Sequence, residues 1–153
     1  MRVVVAAVGR PRNAPLAAAI EEYETRAARY WPLEVHEVRE ERASSASPAV
    51  VREREGRRLL EKVVGTSIVV CDAGGKSFTS EKFAEWLQRE RENERDTSFV
   101  IGGAFGLARA VLDGARMKLS LAPWTLPHEL ARLVLAEQLY RAGSIVRGEP
   151  YHK

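Results

Sequence analysis

The chain has 153 residues, 45% of them hydrophobic and 29% charged, the balance of a single globular domain (1–153) large enough to bury a core. Its net charge of +3 is mild, but the basic residues are mostly arginine, which suits forked phosphate contacts and base stacking and favours a nucleic-acid partner. The lone Cys71 excludes an intramolecular disulfide and a cysteine-rich metal site and points to a reducing cytoplasm, and no run of ~18 uncharged apolar residues could span a membrane.

In chain order, apolar β-branched runs alternate with helical patterns. Val3 to Val8 is too short for a signal-peptide core and reads as a buried strand. Residues 14–31 read as an amphipathic helix opened by Asn13, with Pro15 in its first turn. Residues 33–40, LEVHEVRE, form a second and more exposed strand in which His36 is a packing or surface residue. The segment 43–48 is a loop with helix-starting character, and 49–64 a charged helix whose REREGRR run is a solvated face. A third strand, TSIVVCDAGGK, ends in a Gly-Gly turn; Ser80 and Glu81 then open a helix over 81–93. A fourth strand, TSFVIGG, runs into a glycine turn, ARMKLSL is a fifth strand, and the last helix begins near Pro127. Such alternation indicates an α/β domain with a mostly parallel sheet and helices on both faces.

Ligands of open α/β sheets bind beyond the carboxyl ends of the strands. Two glycine turns lie at such ends, CDAGGK and IGGAFGL. The second reads GGxxG rather than GxGxxG, lacks the acidic residue expected ~20 positions on, and is not a phosphate-binding P-loop. Gly102, Gly103 and Gly106 therefore either border a pocket or merely permit a tight turn. After the fifth strand, LSLAPWTLPHE is apolar and nearly uncharged, a composition that is not normally left in water. Together these loops suit an uncharged nucleoside, such as the adenosyl end of S-adenosylmethionine, held by backbone groups.

On the final helix, Ala131, Leu135, Leu139, Ala142 and Val146 make one apolar stripe, while Leu130, Leu133, Val134, Tyr140 and Ile145 fall outside it. A helix apolar on more than one side is buried on more than one side, here against a second copy of itself, which makes Arg132, Glu137 and Arg141 interfacial or functional. His128, in the first turn, is expected to be structural. Three scattered histidines and one cysteine give no metal-ligand spacing. The chain ends GEPYHK, where Pro150 stops the helix and Tyr151, His152 and Lys153 follow.

The segments FVIGGAFGL, LSLAPWTLPHELARLVLAEQLYRA and GEPYHK closely resemble the ribosomal large-subunit methyltransferase H family of the SPOUT class. The likeness extends through VVAAVG, EYETR and DAGGK over the full length. It implies a C-terminal trefoil knot and methylation of N3 of a pseudouridine in 23S rRNA on the assembled ribosome. The donor would be S-adenosylmethionine, and the enzyme a homodimer joined through its C-terminal helix. By motif, the cofactor contacts would be Cys71, Gly102, Leu121, Ala122, Pro123, Trp124, Thr125 and Leu126, with cysteine at 71 where the family usually has leucine. Arg141, Tyr151, His152 and Lys153 would hold the rRNA and the target base beside the partner's pocket. His152 would act either as the base that deprotonates N3 or as an RNA contact, with Arg141 or Lys153 stabilising negative charge. The alternatives are a SPOUT enzyme acting on tRNA and a ribosome-binding module without catalysis.

Overall fold

Six consecutive apolar residues make β1 (Val3–Val8), and all six are buried because the strand is paired on both edges and covered on both faces. The computed structural model describes residues 1–42, 44 and 46–153; the expected loop 43–48 includes Ala43 and Ser45, which lie outside the described residues. After β1 come α1 (Ala14–Ala27), β2 (Leu33–Val38), α2 (Pro48–Lys62), β3 (Ser67–Ser77), α3 (Ser80–Glu92), β4 (Thr97–Ile101), α4 (Arg109–Gly114), β5 (Met117–Ser120) and α5 (His128–Val146). The strands form one sheet in the order β2-β1-β4-β3-β5, and every pairing is parallel.

Strand alternation separates two cores. Val3, Val5 and Ala7 of β1 face α1, α3 and α5, whereas Val4, Ala6 and Val8 face α2 and α4. Capping sets where the helices begin. Asn13 accepts from the Leu16 N–H, Ser47 from Val50 and Thr79 from Lys82. The cap of α3 is thus Thr79 rather than Ser80, and Ser80 Oγ donates to Gln138 on α5 instead. Helix α1 stops at Ala27, short of Trp31, whose ring is buried and whose Nε1 donates to the Leu139 carbonyl at 2.8 Å. The short helix α4 was not expected; at six residues it is too brief for a clear apolar period.

Strand β3 differs most from expectation. It does not end at a Gly-Gly turn but runs on to Ser77, with residues 72–75 bulging out between two pairings with Leu119 of β5. Gly75 makes this possible, since a Cβ there would lie 2.6 Å from the carbonyl of Lys118. Asp72 Oδ1 accepts from the Gly74 N–H at 2.7 Å and fixes the bulge.

Helix α5 packs between α1 and α3, which accounts for part of its second apolar face within the subunit: Tyr140 and Ile145 lie against the core. Leu130, Leu133 and Val134 stay partly or well exposed. Arg132, expected at an interface or a site, is instead 6% exposed. It forks onto Glu24 of α1 (2.7 and 3.1 Å) and reaches Glu37 of β2 (2.8 Å). Its role is to tie three elements together.

Candidate functional site

β4, β3 and β5 are neighbours in the sheet, so the loops leaving the carboxyl ends of β4 and β5 converge on the bulge inside β3. They border a cavity of about 670 Å³, within the range of small-molecule sites. One wall is Cys71, Asp72 and Ala73; a second is Ile101 to Ala104 with Gly106 and Leu107; the third runs from Leu121 to the first turn of α5. Of the cofactor contacts expected from the sequence, Cys71, Gly102, Leu121, Ala122, Trp124, Thr125 and Leu126 line this cavity, and Pro123 does not. His128, expected to be structural, lines it too.

The glycines act through loop shape. Gly106 adopts φ +81°, a left-handed conformation that other residues rarely take. A Cβ on Gly102 would come within 3.0 Å of the Gly106 carbonyl carbon and oxygen, so a side chain there opposes closure of the loop itself. On the other side, a Cβ on Gly103 would meet Glu55 Oε1 at 3.0 Å and Val8 Cγ1 at 3.1 Å. The loop after β5 is braced by Ser120 Oγ, which donates to the Ala122 carbonyl at 2.7 Å, and leaves Trp124 78% exposed at the rim. Burial pushes the Cys71 thiol up to about 12, so it contributes apolar surface and no thiolate. Besides Cys71, only Asp72 and His128 in the lining can ionise, and no lysine or arginine is present. This lining matches an uncharged nucleoside rather than a polyphosphate.

The tail residues gather elsewhere. Gly148, at φ +66°, ends α5: its N–H donates to the Ile145 carbonyl and the Glu149 N–H to that of Ser144, a Schellman closure. The Glu149 carboxylate accepts from Tyr30 OH, and the chain turns back along α5. The ring of Tyr151 packs on Tyr140 with centroids 4.5 Å apart, and the Arg141 guanidinium sits 4.7 Å from the Tyr151 centroid. Tyr151 OH donates to Glu137 Oε1 at 3.0 Å, and Arg141 Nε to the same oxygen at 2.9 Å. Burial, then hydrogen bonds with Tyr23 and Glu137, hold the Tyr151 hydroxyl well above its ordinary pKa. His152 lies between Arg141 Nη1 (3.1 Å from Nδ1) and Glu81 Oε1 (2.9 Å from Nε2), while Lys153 is exposed.

Arg141, Tyr151 and His152 therefore form one cluster, but it does not line the cavity of its own subunit. Ten residues of α5 separate Ala131, in the cavity wall, from Arg141, a span of about 15 Å. A smaller cavity of about 200 Å³ lies between them, bordered by Ser80, Gln138 and Leu121. Glu137 was readable as a neighbour of Arg141 from their four-residue spacing. Glu81 was not, because 71 residues separate it from His152. Among the described residues no group of three or more histidine, cysteine or acidic side chains is suited to a metal ion, and no helix is long and apolar enough to cross a membrane.

Comparison with known proteins agrees with this geometry. A family profile described as "Predicted SPOUT methyltransferase" matches residues 1–152. The chain is 59% identical over 154 residues to the ribosomal RNA large subunit methyltransferase H of Gemmatimonas aurantiaca, covering 100% of both chains. It is 50% identical to the protein of that name from Anaeromyxobacter sp. (strain Fw109-5), again with 100% of both covered. Among solved structures, a probable methylase family protein from Haemophilus influenzae Rd KW20 superposes with a TM-score of 0.60 at 14% identity, over 99% of this chain and 70% of that one. TrmJ from Z. mobilis ZM4 does so with 0.51 at 15% identity, over 100% and 73%. These distant structures share the fold; the full-length identity carries the rest, and the chain belongs to the ribosomal RNA large subunit methyltransferase H family of SPOUT methyltransferases.

Proposed function

We propose that this protein methylates N3 of a pseudouridine in 23S rRNA, in the cytoplasm and on the assembled ribosome, with S-adenosylmethionine as donor. The observation that carries the reading is the cavity between the β3 bulge and the ends of β4 and β5, lined mainly by backbone and apolar groups, in a chain 59% identical over its full length to a ribosomal RNA large subunit methyltransferase H. Cys71, Gly102 and residues 121–126 would hold the cofactor, largely through main-chain N–H and C=O groups. Pro123 would act there only by shaping the loop. When bound, S-adenosylmethionine supplies an electrophilic sulfonium methyl.

The chain's own contribution is to position the base and manage one proton. An imide N3–H is a weak nucleophile until deprotonated, so a base within reach and a cation beside the developing anion both lower the barrier. His152 fits the first role and Arg141 or Lys153 the second, with Tyr151 packing against Arg141. This cluster stands about 15 Å along α5 from its own cavity, which supports its serving the cavity of a second subunit. The outer face of α5, with Leu130, Leu133 and Val134, supports a homodimer through that helix. Membership of the SPOUT methyltransferases supports a threaded C-terminal knot, an exception to the usual unknotted chain.

The test is methyl incorporation into ribosomes lacking the modification, with the modified nucleoside identified by mass spectrometry. N3-methylpseudouridine in 23S rRNA is the expected product. Methylated tRNA, or cofactor binding without transfer, would replace this reading with a tRNA enzyme or a ribosome-binding module.

A further inference from the structure

The tail is held by a run of side-chain contacts that closes through the backbone between Ser80 and Glu81. Glu137 accepts from Arg141 with one oxygen and from Gln138 Nε2 (2.7 Å) with the other. Gln138 turns its carbonyl to Ser80 Oγ (2.8 Å), and the next residue, Glu81, lies 2.9 Å from His152 Nε2. Arg141 Nη1, 3.1 Å from His152 Nδ1, closes the loop. A guanidinium can only donate, so Nδ1 must be an unprotonated acceptor. The ring hydrogen is then on Nε2 and is donated to Glu81. One tautomer and one ring orientation satisfy both neighbours. Glu81 is prepared for this part: its own backbone N–H in the first turn of α3, then His152 and Thr79, hold its carboxyl down at about 2.

We propose that Glu81 is a positioning residue for His152 in methyl transfer, accepting the Nε2 hydrogen so that Nδ1 is presented as the basic lone pair. This rests on the function proposed above. In the resting arrangement Arg141 covers Nδ1, so the imidazole cannot serve as base until that guanidinium moves to the developing anion of the target. The N3–H bond then breaks, the proton forms an Nδ1–H bond, and the electron pair stays on N3. N3 bonds the methyl carbon as the C–S bond breaks, its pair remaining on sulfur. The imidazolium, stabilised by the Glu81 carboxylate, passes its proton to water. A carboxylate that orients a catalytic histidine acts by the same logic, although here Glu81 is 57% exposed and His152 is the more enclosed partner.

The experiment uses the full-length chain with ¹⁵N-labelled histidine, His152 being assigned from the spectrum that His152→Ala loses. Wild type is expected to show the Nε2–H tautomer with a hydrogen-bonded Nε2 proton. In Glu81→Ala that proton should move upfield and exchange faster with water. Its kcat on ribosomes should fall on the order of 10- to 100-fold, the scale of a misplaced reacting group, with KM and cofactor Kd within about twofold. Glu81→Gln, which still offers an acceptor oxygen, should restore the Nε2–H signal and part of kcat. An Nδ1–H tautomer in wild type overturns the proposal, as does a Glu81→Ala protein whose Nε2–H signal or kcat is unchanged. If wild type methylates no ribosomal RNA, the functional reading fails separately, while the spectra still report on the Glu81–His152 contact.

Discussion

Gly102 lines the cavity, and a Cβ there would also lie 3.0 Å from the Gly106 carbonyl. From sequence it reads either as a border of the pocket or as part of a tight turn. Gly102→Val should weaken cofactor binding by opening the loop, and calorimetry should register that loss in a protein that stays folded. Arg132 was legible only as a charge on an apolar helix; its partners Glu24 and Glu37 lie 108 and 95 residues away. Arg132→Ala leaves the Glu24 carboxylate unpartnered at a largely buried site, while Glu37 keeps Arg10, and should cost about 3 kcal/mol in urea unfolding. Glu55 is 2% exposed and has one oxygen without a partner, and burial raises its pKa. A raised carboxyl pKa contributes stability that is fully present below the unfolded value and is lost as pH rises through the folded one. Glu55→Gln, permanently neutral, should therefore gain stability relative to wild type as pH rises from 4 to 7. A wild-type advantage that grows over that interval would contradict the assignment.

Among the elements, the packing of α5 against the turn that follows α1 depends on one small residue. A Cβ on Gly143 would lie 2.5 and 2.6 Å from Cβ and Cδ2 of Tyr30, so the ring rests directly on the helix backbone. Gly143→Ala raises helix propensity, which in isolation favours the folded state. Overpacking against the aromatic ring outweighs it, and the variant should lose about 1–3 kcal/mol, read as a lower urea midpoint at unchanged slope. The five strands and four of the five helices among the described residues were readable because each carries a clear period, a cap or a glycine stop. The β3 bulge was not readable. The dipeptide Gly74-Gly75 signals a turn equally well when a strand ends there and when it bulges, and only the pairing with Leu119 on both sides distinguishes the two.

Over the whole molecule, the separation of tail cluster and cavity underlies the proposal that two subunits share each site. Light scattering at micromolar concentration should give the mass of a dimer; a monomer would contradict the shared site. Mixed dimers decide which cavity a tail serves. One subunit lacks Tyr151–Lys153 and the other carries Gly102→Val. The intact cavity of the first then receives the tail of the second, and about one working site should remain per dimer. Inactive mixed dimers, with each parent's defect confirmed, would assign the tail to its own subunit.

Sequence alone determined what is local or periodic. The strand and helix alternation, the glycine loop, the apolar stretch after β5 and the family resemblance all reside in contiguous residues, where spacing and composition carry the physics. The tertiary structure decided what joins distant positions: the order β2-β1-β4-β3-β5, which sets the β3 bulge beside the ends of β4 and β5, the burial of Arg132, and the meeting of Glu81 with His152. Such contacts leave no period in the chain, because a hydrogen bond across the fold depends on where the backbone carries its two ends and not on how many residues lie between them.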